Sequence, residues 1–249
     1  MLHYKLIISY DGTDYAGWQV QPTRTSVAQK LQDTFHDVFG QKIILYAVSR
    51  TDAGVHALGQ VVTFKTDLNI DAHSMHKAWS ARLPLDIFIR SLELVEPTYN
   101  PHAFVKHKTY WYHFFCERPL PFAQRYGVHV RQPIDLEKLQ NCLAVFVGTH
   151  DFRSFCTGDE RENTVRTITA ISVTFVSEYN VYRIAISGPK FLRHMVRRIV
   201  GAALWVAIKP EMPISVLQET LLAKNPEHAL AKAPAKGLTL YEVVYDPRL

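Results

Sequence analysis

The sequence has 249 residues, of which 47% are hydrophobic and 20% are charged, which is typical of a globular protein with a substantial core. Lysine and arginine outnumber aspartate and glutamate by 28 to 23, an excess that permits a polyanionic partner without requiring one. The three cysteines form no close pair in the sequence, which disfavours a disulfide framework. Neither a signal peptide nor an apolar membrane-spanning segment is recognisable. The sequence therefore predicts a cytoplasmic protein without a membrane partner.

Apolar residues along the first hundred positions recur in a pattern that predicts the order strand, helix, strand, strand, helix, strand. Ser26 is a good N-cap for the first helix, with Gln29 three residues later in the capping-box position, and Gly40 ends the helix. The predicted elements are strands at 4–10, 43–48, 61–65 and 87–95, and helices at 27–39 and 71–83. This order favours two helices on one face of a mainly antiparallel sheet.

The second half repeats this order of helices and strands loosely, without a repeat in the sequence itself. Its predicted elements are strands at 108–115, 166–176, 181–187 and 238–245, and helices at 136–147, from 190 onward and at 214–223. The two middle strands are expected to form a hairpin. A turn-rich segment at 96–101 marks a boundary, so we predict an α+β fold with domains at 1–100 and 101–249, two similar α/β halves with a cleft between them.

A short polar loop, from Ser49 to His56, connects two of the predicted strands, and loops on a rigid scaffold are where working groups are commonly placed. The loop carries Arg50, Asp52 and Gly54, whereas a turn alone would need only the aspartate and the glycine. Asp52 could act as a nucleophile, a general base or a group that positions a ligand. Gly54 would help a bulky substrate to approach. The alternative is a turn with a structural role only.

A basic helix is predicted from about Lys190, with an apolar arc flanked by arginines. Arg193 and Arg197 are four residues apart, so the pattern places them on one face, and one of them could reach a carboxylate such as Asp52. Arg198 is predicted to be more exposed and to suit a phosphate contact. The alternative is a basic face that is simply solvated.

An aromatic strand in the second half offers a ring that could stack on a nucleobase. Alternation places two sets of side chains on opposite faces of this strand, Tyr110, Tyr112 and Phe114 on one and Trp111, His113 and Phe115 on the other. The alternative is that these aromatics only pack a core. Neither a zinc-type histidine spacing, nor an acidic cluster, nor a glycine-rich nucleotide-binding motif is present, so no metal or cofactor is predicted.

Several ordered motifs together resemble the tRNA pseudouridine synthase A family, and the resemblance spans nearly the whole chain. The most specific motif runs from Arg50 to His56 and is followed by Gly59-Gln60-Val61. The other motifs are Tyr10-Asp11-Gly12, Gly17-Trp18-Gln19, Leu83-Pro84 with Asp86-Ile87, Tyr110-x-Tyr112, Gly148-x-His150-Asp151-Phe152 with Ser154-Phe155, and Phe191 with His194-Met195-Val196-Arg197 and Gly201. Their order and spacing disfavour the structural-turn interpretation of Asp52.

The resemblance implies that uridine is isomerised to pseudouridine at positions 38, 39 and 40 of the tRNA anticodon stem-loop, without a cofactor or metal. It implies that Asp52 is catalytic, that Arg50 helps to flip the target base, that Tyr110 lies in the active site and that Arg197 pairs with Asp52. It also implies a basic RNA-binding cleft and a homodimer. Flipping a base out of a stem costs a few kcal/mol, and Arg50 is expected to occupy the vacated space. An early role for Asp52 at the ribose is the favoured mechanism.

One segment departs from the family pattern. Relatives often carry an arginine where this sequence has His102, within 101–104, and a neutral histidine would weaken a contact with the RNA backbone. Lys106 and Lys108 could compensate, and Lys108 is therefore a substrate-binding candidate. Thr51 is assigned, together with His56, to shaping the loop.

Two other kinds of function stay open at this point. One is a non-catalytic RNA-binding protein on the same scaffold, for which loss of Asp52 would be the signature, and Asp52 is present. The other is a metal-dependent nuclease, which is disfavoured because no carboxylate cluster accompanies the aspartate.

Overall fold

A computed structural model describes residues 1–158 and 163–246. The chain divides into two compact units, one formed by Met1–Lys106 together with the chain from Thr239 onward, the other by His107–Leu238. The second unit is therefore inserted, in sequence, between the fourth strand and the last strand of the first. The division into domains at 1–100 and 101–249 stays a prediction.

The described residues form helices and strands in the following chain order, leaving aside short 3₁₀ turns. They are β1 (Leu2–Tyr10), α1 (Val27–Phe39), β2 (Tyr46–Ala47), β3 (His56–Thr66), α2 (Ala72–Ser80), β4 (Ile87–Val95), β5 (Val105–Phe115), β6 (Val128–His129), α3 (Leu136–Ala144), β7 (Gly148–Asp151), β8 (Val165–Ile168), β9 (Ala170–Val176), β10 (Val181–Gly188), α4 (Met195–Ala207), α5 (Ser215–Ala223) and β11 (Leu238–Tyr245). Within these residues, no helix is long and apolar enough to cross a membrane.

The first unit is built on a sheet with the strand order β4-β1-β3-β11. The pairs β4–β1 and β1–β3 are antiparallel, while β11 runs parallel to β3, with Thr239 opposite His56. Phe64 of β3 contacts Phe35 of α1 at 5.4 Å and Trp79 of α2 at 5.7 Å between ring centroids. Because one side chain contacts both helices, α1 and α2 lie on the same face of the sheet, as predicted.

The ends of α1 are those that the sequence predicts. The Ser26 side chain accepts a hydrogen bond from the backbone N–H of Gln29 at 3.2 Å, and Gly40 ends the helix in the left-handed conformation with φ of 68°. Both signals are local, because each involves residues within one turn of the helix end.

Two predicted elements of the first unit are too long, whereas the strand predicted at 61–65 is too short, since β3 begins at His56. Only Tyr46–Ala47 of the predicted strand 43–48 pairs with β3, although Ile43 and Leu45 are buried. Their side chains pack into the core without a ladder of backbone hydrogen bonds, so burial alone produced the strand-like pattern. The helix predicted at 71–83 ends at Ser80, since the N–H groups of Arg82 and Leu83 bond three residues back, as in a turn.

The second unit contains the antiparallel order β5-β10-β9, with β6 alongside β5 in parallel. The hairpin of β9 and β10 is confirmed. The predicted strand 166–176 is, however, two strands, because β8 pairs with β7 instead. Thr169, between β8 and β9, bonds through its N–H to the carbonyl oxygen of Ser187 at 2.8 Å.

The helix predicted from Lys190 begins only at Met195. His194 has a left-handed backbone with φ of 63°, and the carbonyl oxygen of Arg193 accepts a hydrogen bond from the N–H of Thr157 at 3.1 Å. The segment before α4 is therefore held in a turn by a distant loop. The prediction that Arg193 and Arg197 share a helix face is wrong, since Arg193 lies outside the helix.

Candidate functional site

The polar loop that leads from β2 to β3 is anchored at its first residue. The N–H of Ser49 donates to Oε1 of Gln60 at 3.2 Å, and Nε2 of Gln60 donates to the carbonyl oxygen of Ser49 at 2.5 Å. Gln60 is fully buried, so the two hydrogen bonds form without competition from water. The backbone at the start of the loop is therefore held in a fixed position by Gln60.

A second segment, Tyr15–Trp18, lies against the middle of the loop. The N–H of Trp18 donates to the carbonyl oxygen of Thr51 at 3.0 Å, and the N–H of Gly54 donates to that of Tyr15 at 3.3 Å. Gly17 has φ of +92°, and a Cβ atom added there would lie 2.5 Å from the carbonyl oxygen of Thr51 and 2.9 Å from the carbonyl carbon of Asp52. The approach of the two backbones therefore requires glycine.

Side chains on β1 and after it complete the support. The hydroxyl groups of Tyr10 and Thr51 form a buried hydrogen bond of 2.7 Å. Nδ1 of His56 accepts from the N–H of Gly12 at 3.0 Å, and Oδ1 of Asp11 lies 3.1 Å from the same nitrogen. The His56 side chain therefore contacts the turn at Asp11 and Gly12 that follows β1. These contacts fit the assignment of Thr51 and His56 to shaping the loop.

Asp52 and Arg50 differ in exposure within this supported loop. Asp52 is half-buried, and its carbonyl oxygen accepts from the N–H of Val55 at 3.1 Å, which closes a turn around Gly54. Gly54 has φ of +76°, so the turn conformation itself favours glycine. Arg50 is exposed. The Asp52 carboxylate is therefore carried by a backbone that is held in place, while the exposed Arg50 guanidinium is accessible to a molecule in solution.

In the second unit, the ring of Tyr110 is nearly buried, with 8% of the residue exposed. It packs edge-on against Phe191 with 5.1 Å between ring centroids. Tyr110 lies opposite Ile186 in the β5–β10 ladder. The next inward residue, Tyr112, is fully buried and donates its hydroxyl to the carbonyl oxygen of Pro234 at 3.1 Å. The predicted alternation of this strand is confirmed.

Arg197 lies in the first turn of α4 and is bound to the segment that precedes β11. Its Nε donates to the carbonyl oxygen of Ala233 at 2.9 Å, and the N–H of Ala233 donates to the carbonyl oxygen of Arg197 at 2.9 Å. Gly201 permits this, because a Cβ atom there would lie 2.5 Å from the nitrogen of Ala233. The Nε bond uses one of five donors of the guanidinium and fixes its direction.

Arg198 is half-buried, and not exposed as the sequence predicted. Its Nη2 donates to the hydroxyl of Thr157 at 3.0 Å, and its Nε is buried without a hydrogen-bond partner. The reason for the difference is the same turn that delays the start of α4, since it brings the loop at Thr157 beside the helix.

Burial shifts the pKa of two side chains on β5. It lowers the pKa of Lys108 to about 8, and the nearby charge of Lys190 contributes to the decrease. Burial raises the pKa of Tyr112, against the opposing effect of Arg197, so the Tyr112 phenol stays neutral and keeps its proton for Pro234. Among the residues that the structure describes, no group of three or more His, Cys, Asp or Glu side chains could hold a metal ion.

The candidates fall into two sets. Arg50 and Asp52 share one loop of the first unit, while the others, Lys108, Tyr110, Arg197 and Arg198, belong to the second unit. The pairing of Asp52 with Arg197 stays a prediction. Gly17 and Gln60 were identified from the sequence only as members of family motifs, without a supporting role, and Lys190 was given no role. A glutamine within an apolar strand was a signal for Gln60, whereas Lys190 has no local signal.

Comparisons with known proteins identify similar chains. A family model described as tRNA pseudouridine synthase matches residues 6–100 and 143–246. The tRNA pseudouridine synthase A 1 of Protochlamydia amoebophila is 36% identical over 98% of this chain and 96% of the relative. The tRNA pseudouridine synthase A of Brevibacillus brevis is 38% identical over 98% of this chain and the whole relative. A chain in the crystal structure of a Cbf5-Nop10-Gar1 complex matches 81% of this chain over 45% of its own length. The two are 11% identical, with a TM-score of 0.35.

Proposed function

The chain belongs to the tRNA pseudouridine synthase family, and from this membership we propose that it isomerises uridine to pseudouridine at positions 38, 39 and 40 of the tRNA anticodon stem-loop. The observation that carries the proposal is the match over residues 6–100 and 143–246, because it includes both the loop of Asp52 and the helix of Arg197. The protein is an enzyme, a pseudouridine synthase. The proposal adds the position in the tRNA and the roles of residues.

We assign the first chemical step to Asp52. In the net reaction, the bond between N1 of uracil and C1′ of ribose breaks, the base rotates, and a bond between C5 and C1′ forms. The proton lost from C5 is balanced by the proton gained at N1. Asp52 acts early, at the ribose, as the uracil leaves. The hydrogen bonds of Gln60 with Ser49 and of Trp18 with Thr51 support this role, because they hold the backbone of the Asp52 loop in place before substrate binds.

Base flipping is the second part of the proposal. An enzyme that acts on a base within a stem must extrude it, at a cost of a few kcal/mol. Arg50 occupies the vacated space, since it is exposed and precedes Asp52 by two residues. Tyr110 meets the extruded base with the little surface that it exposes, and Arg197 pairs with Asp52.

Phosphate binding is assigned to Lys108 and Arg198. We propose that the enzyme acts in the cytoplasm as a homodimer, on tRNA as its partner. No cofactor or metal is assigned a role. The reaction is an isomerisation without a net change in oxidation state, and the proposed roles use only side chains of the enzyme.

The test is conversion of an unmodified anticodon-arm RNA in the presence of EDTA, followed by direct assay of pseudouridine. We expect conversion by the wild type and by Asp37→Asn, an exposed control on α1, and none by Asp52→Asn. Undiminished conversion by Asp52→Asn would overturn the role of Asp52. Binding without conversion by the wild type would favour a non-catalytic RNA-binding protein. Cleavage of the RNA in a matched reaction with magnesium, abolished by EDTA, would favour a nuclease.

A further inference from the structure

Asp86 belongs to one of the motifs shared with the family, and the proposed function leaves it without a role. The residue is half-buried and lies just before β4. Its Oδ1 accepts a hydrogen bond from the hydroxyl of Tyr15 at 2.8 Å, and its carbonyl oxygen accepts one from the N–H of Asp11 at 2.9 Å. Asp11 and Tyr15 are the ends of the segment 11–15, which we call the anchor loop. Asp86 therefore holds the anchor loop at both ends.

The anchor loop in turn bonds to the second half of the loop of Asp52. The N–H of Gly54 donates to the carbonyl oxygen of Tyr15 at 3.3 Å, and the N–H of Gly12 donates to Nδ1 of His56 at 3.0 Å. These two hydrogen bonds lie on either side of a single residue in the loop. The anchor loop therefore fixes the chain just after the catalytic aspartate.

The backbones of the two loops are in close contact at Gly12. A Cβ atom added there would overlap with the carbonyl oxygen of Val55. Val55 also donates its N–H to the carbonyl oxygen of Asp52 at 3.1 Å. Because these contacts follow one another without a gap, a shift of the anchor loop would displace Asp52 as well.

The hydroxyl of Tyr15 is a dependable donor to Asp86. Only 7% of Tyr15 is exposed, and burial raises the pKa of its hydroxyl, with a further increase from the hydrogen bond to Asp86. The hydroxyl therefore keeps its proton. A hydrogen bond to a carboxylate is stronger than one between neutral groups, and removal of one partner costs more than removal of both.

We propose that Asp86 is a positioning residue, which sets the place of the Asp52 carboxylate through Tyr15 and the anchor loop. This inference rests on the proposed function and deepens it, since it concerns the same catalytic step. Asp86 takes no part in bond making and is assigned no contact with the RNA. Its loss should therefore slow the chemical step and leave RNA affinity unchanged.

The first experiment compares single-turnover conversion of anticodon-arm RNA with RNA affinity. We expect Asp86→Ala and Tyr15→Phe to slow conversion about tenfold at saturating enzyme, and the double variant to be no slower than either. Asp86→Asn should stay within about threefold of the wild-type rate, because its amide oxygen still accepts the hydroxyl proton. RNA affinity, measured with each change added to Asp52→Asn, should vary by less than about twofold.

Tyr4→Phe is the matched control. Tyr4 is 2% exposed, and its hydroxyl donates to the carbonyl oxygen of Ile70 at 3.1 Å. It lies near the start of β1, whereas the anchor loop follows the end of that strand. The control thus loses a buried tyrosine hydroxyl in the same unit, and it should convert RNA at the wild-type rate. Equal slowing in Tyr4→Phe and Tyr15→Phe would reduce the effect to general stability and overturn the positioning role.

The second experiment measures hydrogen exchange of the Gly54 amide by NMR in the free enzyme. We expect exchange at least about fivefold faster in Asp86→Ala and Tyr15→Phe, and close to the wild-type rate in Asp86→Asn and Tyr4→Phe. Tyr15→Phe removes a single oxygen atom, so it tests the proposal even if Asp86→Ala does not fold. If Tyr15→Phe shows either wild-type exchange at Gly54 or wild-type conversion, the positioning role is overturned.

The two proposals fail in different ways. If the wild type makes pseudouridine and Tyr15→Phe matches it, only the role of Asp86 is lost. If the wild type makes no pseudouridine, the proposed function itself fails, while exchange at Gly54 still decides whether Asp86 holds the loop.

Discussion

Replacement of Gly17 by alanine tests whether the loop of Asp52 is positioned by the segment packed against it. The backbone of Gly17 has φ of +92°, which an L-residue adopts at a cost of about 1–2 kcal/mol. The new Cβ atom would also lie 2.5 Å from the carbonyl oxygen of Thr51 and 2.9 Å from the carbonyl carbon of Asp52. Since ordinary contacts are about 3.5 Å or longer, the two backbones must separate by roughly 1 Å.

Gly40 provides a matched control, because it shares the backbone strain without the contact. Its φ is +68°, and a Cβ atom there would meet no atom within 4 Å. We expect Gly40→Ala to lose about 1–2 kcal/mol of unfolding free energy and to keep its catalytic rate. Gly17→Ala should lose more stability than the control, and its rate should fall about 100-fold, since a displacement of about 1 Å at a reacting group costs that much.

The assay combines urea unfolding with single-turnover conversion of anticodon-arm RNA. Rates are compared at a temperature where both variants are folded. If Gly17→Ala matches Gly40→Ala in both stability and rate, the close approach is irrelevant and the argument that the segment positions Asp52 is refuted.

Two further predictions concern buried polar groups. Gln60→Leu removes the side-chain partners of the N–H and carbonyl of buried Ser49, so we expect a loss of about 2–4 kcal/mol in the free energy of unfolding measured with urea. Gln218→Leu on the exposed face of α5 should change this free energy by less than about 0.5 kcal/mol, and equal effects would contradict the role of Gln60. Lys108 has a pKa of about 8 in the folded chain, whereas an unperturbed lysine has a pKa of 10.5. Between these two pH values the unfolded chain therefore binds more protons than the folded chain. The free energy of unfolding should accordingly rise with pH across this window. The free energy of unfolding should increase by at most about 3 kcal/mol over this window, and the increase should be smaller in Lys108→Met. If the pH profiles of wild type and Lys108→Met run parallel, the prediction is refuted.

Local signals predicted the elements that depend on local contacts. Ser26 and Gly40 define α1 because a capping bond and a left-handed residue lie within one turn of each end. The inward alternation of Tyr110 and Tyr112 was predicted for the same reason, since it follows from the period of the strand itself.

Errors occurred where distant residues decide the conformation. The apolar pattern runs without a break from Phe191 into α4, but the hydrogen bond from Thr157 to Arg193 holds the first residues in a turn. Periodicity could not reveal that bond, because its donor is far away in the sequence. The strand predicted at 43–48 failed similarly, since Ile43 and Leu45 are buried by packing and not by pairing.

In the candidate site, too, local sequence signals predicted some features and could not predict those that depend on distant residues. The motif at Arg50 and Asp52 located the loop in the sequence. The contacts that support this loop could not be predicted from periodicity. Gly17 acts through the close approach of its backbone to the loop, and Gln60 forms two hydrogen bonds with the backbone of Ser49. The effect of the Lys190 charge on Lys108 could not be predicted either, because it depends on the register that pairs Lys108 with Gly188, two residues before Lys190.

The parallel pairing of β11 with β3 has a consequence for how a newly made chain matures. Thr239 and Leu240 pair with His56 and Ala57, at the point where the loop of Asp52 enters β3. During translation, the ribosome must add more than 180 residues after His56 before this strand exists. Such long-range parallel contacts form late. We therefore expect a nascent chain to lack the strand beside the loop of Asp52, and to gain activity only after Leu240 has been added and has left the ribosome.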